Sequence, residues 1–244
     1  MVPVCSVREA PLPWISMCKR APSLRLPSGI VTVGVTGGIA SGQSTVARML
    51  RRLGASKRPA STGAVHLVEA DSIAREVTAR GQAGWRRVVK AFGRGVLAPG
   101  GELDRGRLAE IIFEKPAARR KLESILHPLI IERERRMLRR WAREGKRGLF
   151  VVGAALLVEA GLHARYDVVV VVYAPQAVRI RRLRERDGLR RSEALARVRA
   201  QMPLRKKRRY ADFVVDNSGG LGATRRQVLR LYGSLTRLTG KISK

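Results

Sequence analysis

Residues 37–45 read Gly-Gly-Ile-Ala-Ser-Gly-Gln-Ser-Thr, and the spacing Gly37-x-x-x-x-Gly42-Gln43-Ser44 is that of a P-loop, a backbone cradle for phosphate. Glutamine stands where the pattern asks for lysine. Gly37, Gly38 and Gly42 permit positive φ and close approach, so successive N–H groups can turn toward an anion at the start of the next helix. Ser44 takes the place of the hydroxyl that meets Mg²⁺. An ordinary strand-to-helix turn that binds nothing is the competing reading of the same glycines.

A second chemical signal is Asp71, which follows the strand-like stretch from Val65 to Ala70. A carboxylate at the C-terminal end of a strand lies on the edge where open α/β sheets bind ligands. The same residue reads equally as the N-cap of a following helix, with Ser72 as the alternative cap. On an extended strand Glu69 and Asp71 share one side. The third signal is the stretch from Arg179 to Arg209, which carries 14 Lys and Arg. Most of these suit a solvated helix face, but Arg182 and Arg186 stand four apart and can work together.

The elements that must position these residues follow from periodicity. The β-branched run from Val31 to Val35 fits a buried strand, and Val46, Met49, Leu50 and Leu53 give the next helix an apolar face. Ser56 to Gly63 reads as a loop. From residue 74 to 141 the pattern is helical with short breaks, and Pro128 kinks its helix or restarts one. Further strands are expected at 149–152, 166–173 and 213–215, with a last helix from Ala223 to about Thr236. The stretch 166–173 is so rich in valine that both faces must be covered, which is the mark of a parallel sheet. Five strands alternating with helices predict an α/β fold with a doubly wound five-stranded parallel sheet. Residues 1–29 read as a disordered extension, or as lying upstream of a later start such as Met17, and residues 30–240 as one domain. About 74–141 forms its helical insertion and about 179–209 a basic helical lid.

Composition narrows the class. The chain has 244 residues, 45% of them hydrophobic, so it can bury a substantial core. No apolar run is long enough to span a membrane. Cys5 and Cys18 stand alone, and His66, His127 and His163 are scattered, so neither a disulfide framework nor a zinc site is indicated and a reducing cytoplasm is expected. The formal charge of +31 attracts polyanions. With only 5% aromatic residues, nucleic acid is expected to bind non-specifically at most.

Taken together, GGIASGQSTVARML, EADSIAREV, AFGRGVL with GELDRGRLAEIIF, ILHPLI, ALLVEAGL, RLRERDGL, RVRAQMP and YADFVVDNSG resemble dephospho-coenzyme A kinase in order and spacing, from Ile30 to the last helix. The resemblance implies a P-loop kinase of the nucleoside-monophosphate-kinase type that moves the γ-phosphate of ATP to the ribose 3′-hydroxyl of dephospho-coenzyme A. It implies that Gly38, Ile39, Ala40, Ser41, Gly42, Gln43, Ser44 and Thr45 hold the ATP phosphates, with Ser44 on Mg²⁺. Asp71 becomes the base for the attacking hydroxyl. Arg75, Asp104, Arg105 and His127 fall in what resembles the substrate-binding insertion. Arg182, Arg186 and Lys207 fall in the lid, and Asn217 in the adenine-side loop.

Three positions depart from that pattern. Gln43 replaces the P-loop lysine, Glu69 the first acid of an Asp-Ala-Asp motif, and Gly153-Ala-Ala an acid-x-Pro segment. Loss of one electrostatic donor costs about 10²–10³ in rate. Two alternatives to the kinase therefore stand: a nucleotide- or coenzyme-A-binding protein of the same fold, and a basic nucleic-acid-binding protein.

Overall fold

The computed structural model describes residues 29–55, 57 and 61–241. The expectations for the N-terminal extension and for Cys5 and Cys18 lie outside these residues, as does part of the expected loop at 56–63. Strand β1 (Ile30–Gly37) leads into α1 (Gln43–Ala55). Then come β2 (Val65–Glu69), α2 (Ala70–Val77), α3 (Ala83–Phe92), α4 (Arg105–Glu114) and α5 (Pro116–Arg143). The chain continues through β3 (Gly148–Gly153), β4 (Val168–Tyr173), α6 (Gln176–Asp187), α7 (Arg191–Arg199), the single turn α8 (Leu204–Lys207), β5 (Phe213–Asp216) and α9 (Leu221–Lys241).

The strands form one sheet in the order β2-β3-β1-β4-β5, and every neighbouring pair is parallel. The expected doubly wound α/β sheet is therefore the observed one. Alternation along the strands explains why their sequences read as continuous apolar runs. Val31, Val33, Val35, Leu149, Val151, Val168, Val170 and Val172 face one side and pack with Val46 and Leu50 of α1 and Leu231 and Leu235 of α9. On the other side Ile30, Phe150 and Val152 meet Ile73 and Leu138, while Val169 and Val171 meet Leu157 and Leu204. No helix among the described residues is long and apolar enough to cross a membrane.

Helices α3 to α5 enclose a separate apolar cluster of Val88, Val96, Leu103, Leu108 and Leu122, flanked by Trp85, Phe92, Ile125 and Leu126. Helix α5 runs unbroken for 28 residues with Pro128 inside it, so no new helix starts there. The reason is burial on both sides of the proline. Ile125 and Leu126 belong to the insertion cluster, while Ile130 and Leu138 belong to the sheet, and packing of both halves offsets a local cost of about 3 kcal/mol. Helix α9 also exceeds its expected span, because beyond Thr236 Leu238 packs against the sheet cluster and the buried Thr239 hydroxyl donates to the Thr62 carbonyl at 3.1 Å.

Glu134 of α5 is 6% exposed and accepts a hydrogen bond from the Tyr166 hydroxyl at 3.2 Å. Burial raises its carboxyl above the ordinary range, against the opposing pull of Arg165, the Tyr166 hydroxyl and Arg135. An unfolded glutamate ionises near pH ~4.3, so between that value and the raised one the folded chain holds a proton that the unfolded chain has released. Stability therefore falls as pH rises through this window. Glu134→Gln removes the titration and keeps an oxygen for Tyr166. Its thermal midpoint is expected to match the parent at pH 4 and to exceed it by pH 7; an unchanged difference across that range would contradict the assignment.

Candidate phosphate-binding and acceptor site

The loop between β1 and α1 is shaped by its backbone. Ala40 is the one non-glycine residue with positive φ among those described, at 58°, and Gly42 lies at 92°. The Ser41 N–H returns to the Gly38 carbonyl at 2.9 Å, and Val46 N–H to that of Gly42 at 3.1 Å, which opens α1. The first-turn N–H groups of α1 have no intrahelical acceptor and carry the positive end of its dipole. A side chain at Gly42 would run into the Asn217 amide, so positive φ and close approach both call for glycine there.

The loop is buttressed from behind. Arg179 of α6 is only 4% exposed; its Nε donates to the Ile39 carbonyl at 2.9 Å, and its guanidinium lies against Gly38. Arg182, one turn on, reaches the Ala40 and Ser41 carbonyls at 3.4 Å and that of Asn217 at 2.8 Å. Ile39 and Ala40 pack on Ile180, Leu183, Leu189, Ala194 and Val198 of the α6–α7 region. Two buried polar atoms at the loop have no partner among the described residues: Ser41 Oγ and Arg179 Nη2.

In front of the loop, at the C-terminal edge of the sheet, a cavity of about 570 Å³ is lined by Ser44, Arg48, Arg51, Glu69, Asp71, Arg75 and Met137, among others. Hydroxyl, carboxylates and guanidiniums line it together. The Glu69 carboxyl is raised by burial and then by Asp71, while Arg48 and Arg51 pull it down. Glu69 and the Gln43 amide converge over Gly153, where an added Cβ would meet both. A carboxylate-bearing residue at 153 has no room with these rotamers.

A family model described as dephospho-CoA kinase (CoaE) matches residues 31–222. The chain belongs to the dephospho-CoA kinase family. The dephospho-CoA kinase of Geobacter metallireducens is 43% identical over 203 residues, which cover 83% of this chain and 96% of that protein. That of Geobacillus kaustophilus is 40% identical over 201 residues, covering 82% and 94%. A crystal structure of a Thermus thermophilus protein, 31% identical, aligns with a TM-score of 0.68 over 85% of this chain and 98% of its own. The resemblance read from the motifs is thereby confirmed, and the matched span contains the loop, the cavity and the α6–α8 region.

Within this dephospho-CoA kinase fold, the residues expected to act together separate into two groups. Ser44, Asp71 and Arg75 line the cavity, with Gln43 beside Glu69 at its edge, and Arg182 touches the loop. Asp71 neither ends a strand nor caps a helix. Strand β2 stops at Glu69, the cap position falls on Glu69 without a side-chain bond, and Asp71 lies in the first turn of α2. The extended geometry that would have put Glu69 and Asp71 on one side is thus absent; the helix start brings both to the cavity instead.

The other expected residues are occupied by the protein itself. Lys207, read as a lid cation for ligand, is fully buried, with Nζ 2.9 Å from the Gly37 carbonyl, 2.8 Å from that of Ala155 and 2.8 Å from Glu159 Oε1. The Asn217 amide gives its Nδ2 to the Ser41 carbonyl and takes the Thr224 hydroxyl on Oδ1, so it braces the loop. The Ile39 N–H donates to Gln201 Oε1 at 2.6 Å. Asp104 caps α4 through the Arg107 N–H, and Arg105 donates to the Thr78 hydroxyl. Arg186 forms a two-bond pair with Asp187 at 2.7 and 2.9 Å, and burial lowers the pKa of His127. Asp104, Arg105 and His127 are absent from the cavity lining. Sequence reasoning missed Arg179, Gln201 and Glu159 as individuals. Gln201 and Glu159 fall within the motifs RVRAQMP and ALLVEAGL, and Arg179 stands one helical turn before Arg182, but no pattern singled out any of the three.

Proposed function

We propose that this chain transfers the γ-phosphate of ATP to the ribose 3′-hydroxyl of dephospho-CoA and is active with glutamine at position 43. The observation that carries the reading is the shared cavity: Ser44, from the first turn of the phosphate-binding helix, and Asp71 both line it at the sheet edge. Orphaned Ser41 Oγ and Arg179 Nη2 at the loop suit an anionic ligand, and the hydroxyl and carboxylate oxygens of Ser44, Glu69 and Asp71 suit a hard divalent cation.

In this reading the loop and the first turn of α1 hold the ATP phosphates. Ser44 would hold Mg²⁺, which when bound neutralises phosphate charge and orients the transferring group. Arg48, Arg51 and Arg75 receive the anionic groups of dephospho-CoA in the cavity. Asp71 takes the proton of the 3′-hydroxyl as its oxygen bonds to the γ-phosphorus; the bond from that phosphorus to the β–γ bridging oxygen breaks, and ADP leaves. Positioning and charge neutralisation carry such a transfer, with little covalent help from protein. A cytoplasmic location accords with ATP as donor.

The test is product formation by the purified chain. With ATP, Mg²⁺ and dephospho-CoA it is expected to release ADP and coenzyme A in equal amounts. Binding of both ligands without product would make it a nucleotide- and coenzyme-A-binding protein; binding of neither would end the reading. Association with nucleic acid, expected through charge alone, should weaken steeply as salt rises.

A further inference from the structure

We propose that Arg179, on α6 behind the loop, supplies the positive charge that residue 43 does not bring to the phosphate-binding loop. The inference rests on the kinase reading of the site. Glutamine at 43 leaves the loop's own segment from Gly37 to Thr45 without any ionisable side chain, so a charge at this site must come from elsewhere in the fold. Among the other arginines close to the loop, Arg48 is exposed and donates its Nε to the Ser44 carbonyl at the helix start, on the acceptor side. Arg182 is half-buried and has three backbone carbonyls as acceptors.

Arg179 differs from both. It is 4% exposed, among the described residues no carboxylate forms an ion pair with it, and its Nη2 has no acceptor. A Cβ on Gly38 would lie 2.5 Å from both its Cζ and its Nη2, so the guanidinium sits directly against the loop backbone and glycine is what lets it approach. Its Nε bond to the Ile39 carbonyl fixes it there. A desolvated guanidinium without a counter-ion is costly, and an anion bound in front of the loop is the group that would offset that cost. Its neighbour Lys207 is also buried, and the two cations disfavour each other, but Lys207 has Glu159 as a partner. Two buried cations against one carboxylate leave the back of the loop with one unbalanced positive charge. In water-poor surroundings such a fixed charge acts strongly on phosphate without direct exposure. Arg179 is thus a positioning residue: it shapes the loop through Ile39 and sets its field through Gly38.

The test compares the natural chain, Arg179→Gln, Gln43→Lys and the double variant, with the ATP dissociation constant from calorimetry in Mg²⁺ and the thermal midpoint of each. In the natural background Arg179→Gln is expected to weaken ATP binding about tenfold or more, as for loss of one fixed charge in water-poor surroundings, and Arg179→Lys to retain most of the affinity. In the Gln43→Lys background, Arg179→Gln should cost much less, because the charge is then supplied twice. An equal loss in both backgrounds would show a strut and overturn the proposal. If Arg179→Gln does not fold, Gln43→Lys alone decides: a gain in ATP affinity of well over tenfold would mean that the loop lacked charge and would overturn it, whereas little change supports it. ATP binding by none of the variants would remove the kinase reading itself, and this inference with it.

Discussion

Asp71→Asn is expected to lower kcat by about 10²–10⁴-fold, the ordinary contribution of a general base, while ATP affinity stays near that of the natural chain. The substitution keeps shape and removes only the ability to take a proton. Asp71 is exposed on the first turn of α2, outside the sheet core, so its fold should persist. Single-turnover transfer from labelled ATP to dephospho-CoA, measured beside Glu69→Gln, checks it. Glu69 lies deeper, against Gln43 and Gly153, with its carboxyl raised by burial. A larger loss for Glu69→Gln than for Asp71→Asn would move the proton acceptor two residues back.

Lys207→Met is expected to destabilise the protein by about 3–5 kcal/mol, the usual cost of removing one partner from a buried ion pair. The ammonium ties three segments at one point: the end of β1 at Gly37, the loop after β3 at Ala155, and Glu159. Removing it takes a donor from the Gly37 and Ala155 carbonyls, the second of which keeps the Thr36 hydroxyl, and leaves Glu159 without its counter-ion. For a chain of this size each kcal/mol is about 2–4 °C in Tm, so a fall of roughly 6–20 °C is expected in a melting experiment. Adding Glu159→Gln should recover part of it, because the uncompensated carboxylate is then gone. A shift within a degree or two for Lys207→Met would show that the pair holds nothing in place.

Physically, the loss at Lys207 and the loss at Asp71 differ in kind. One acts on the scaffold that holds the loop in register with the sheet, the other on a proton in front of it. The contrast also separates what could be read in one dimension. Residues 205–209 are an unbroken basic run, and nothing in the run distinguishes Lys207 from its neighbours. Only the docking of α8 on β4, where Leu204 packs against Val169 and Val171, turns that one ammonium inward. Asn217 likewise follows a strand end at the expected place, yet the Ser41 carbonyl and the Thr224 hydroxyl engage both ends of its amide.

What the sequence determined by itself was the order of elements, the parallel sheet and the loop with its serine. These depend on local periodicity and on glycine spacing, which are properties of neighbours along the chain. The alternation of Val31, Val33 and Val35 with intervening residues, and five consecutive valines in β4, already require helices on both faces. The tertiary structure alone decided which side chains line the cavity and which are taken up inside the protein. Arg179, Arg182 and Lys207 come from one basic stretch, but their distances to the Ile39, Ser41 and Gly37 carbonyls depend on how α6 and α8 pack more than a hundred residues away from the loop. Charge at a phosphate site acts through space, so its source need not lie in the motif that binds the phosphate.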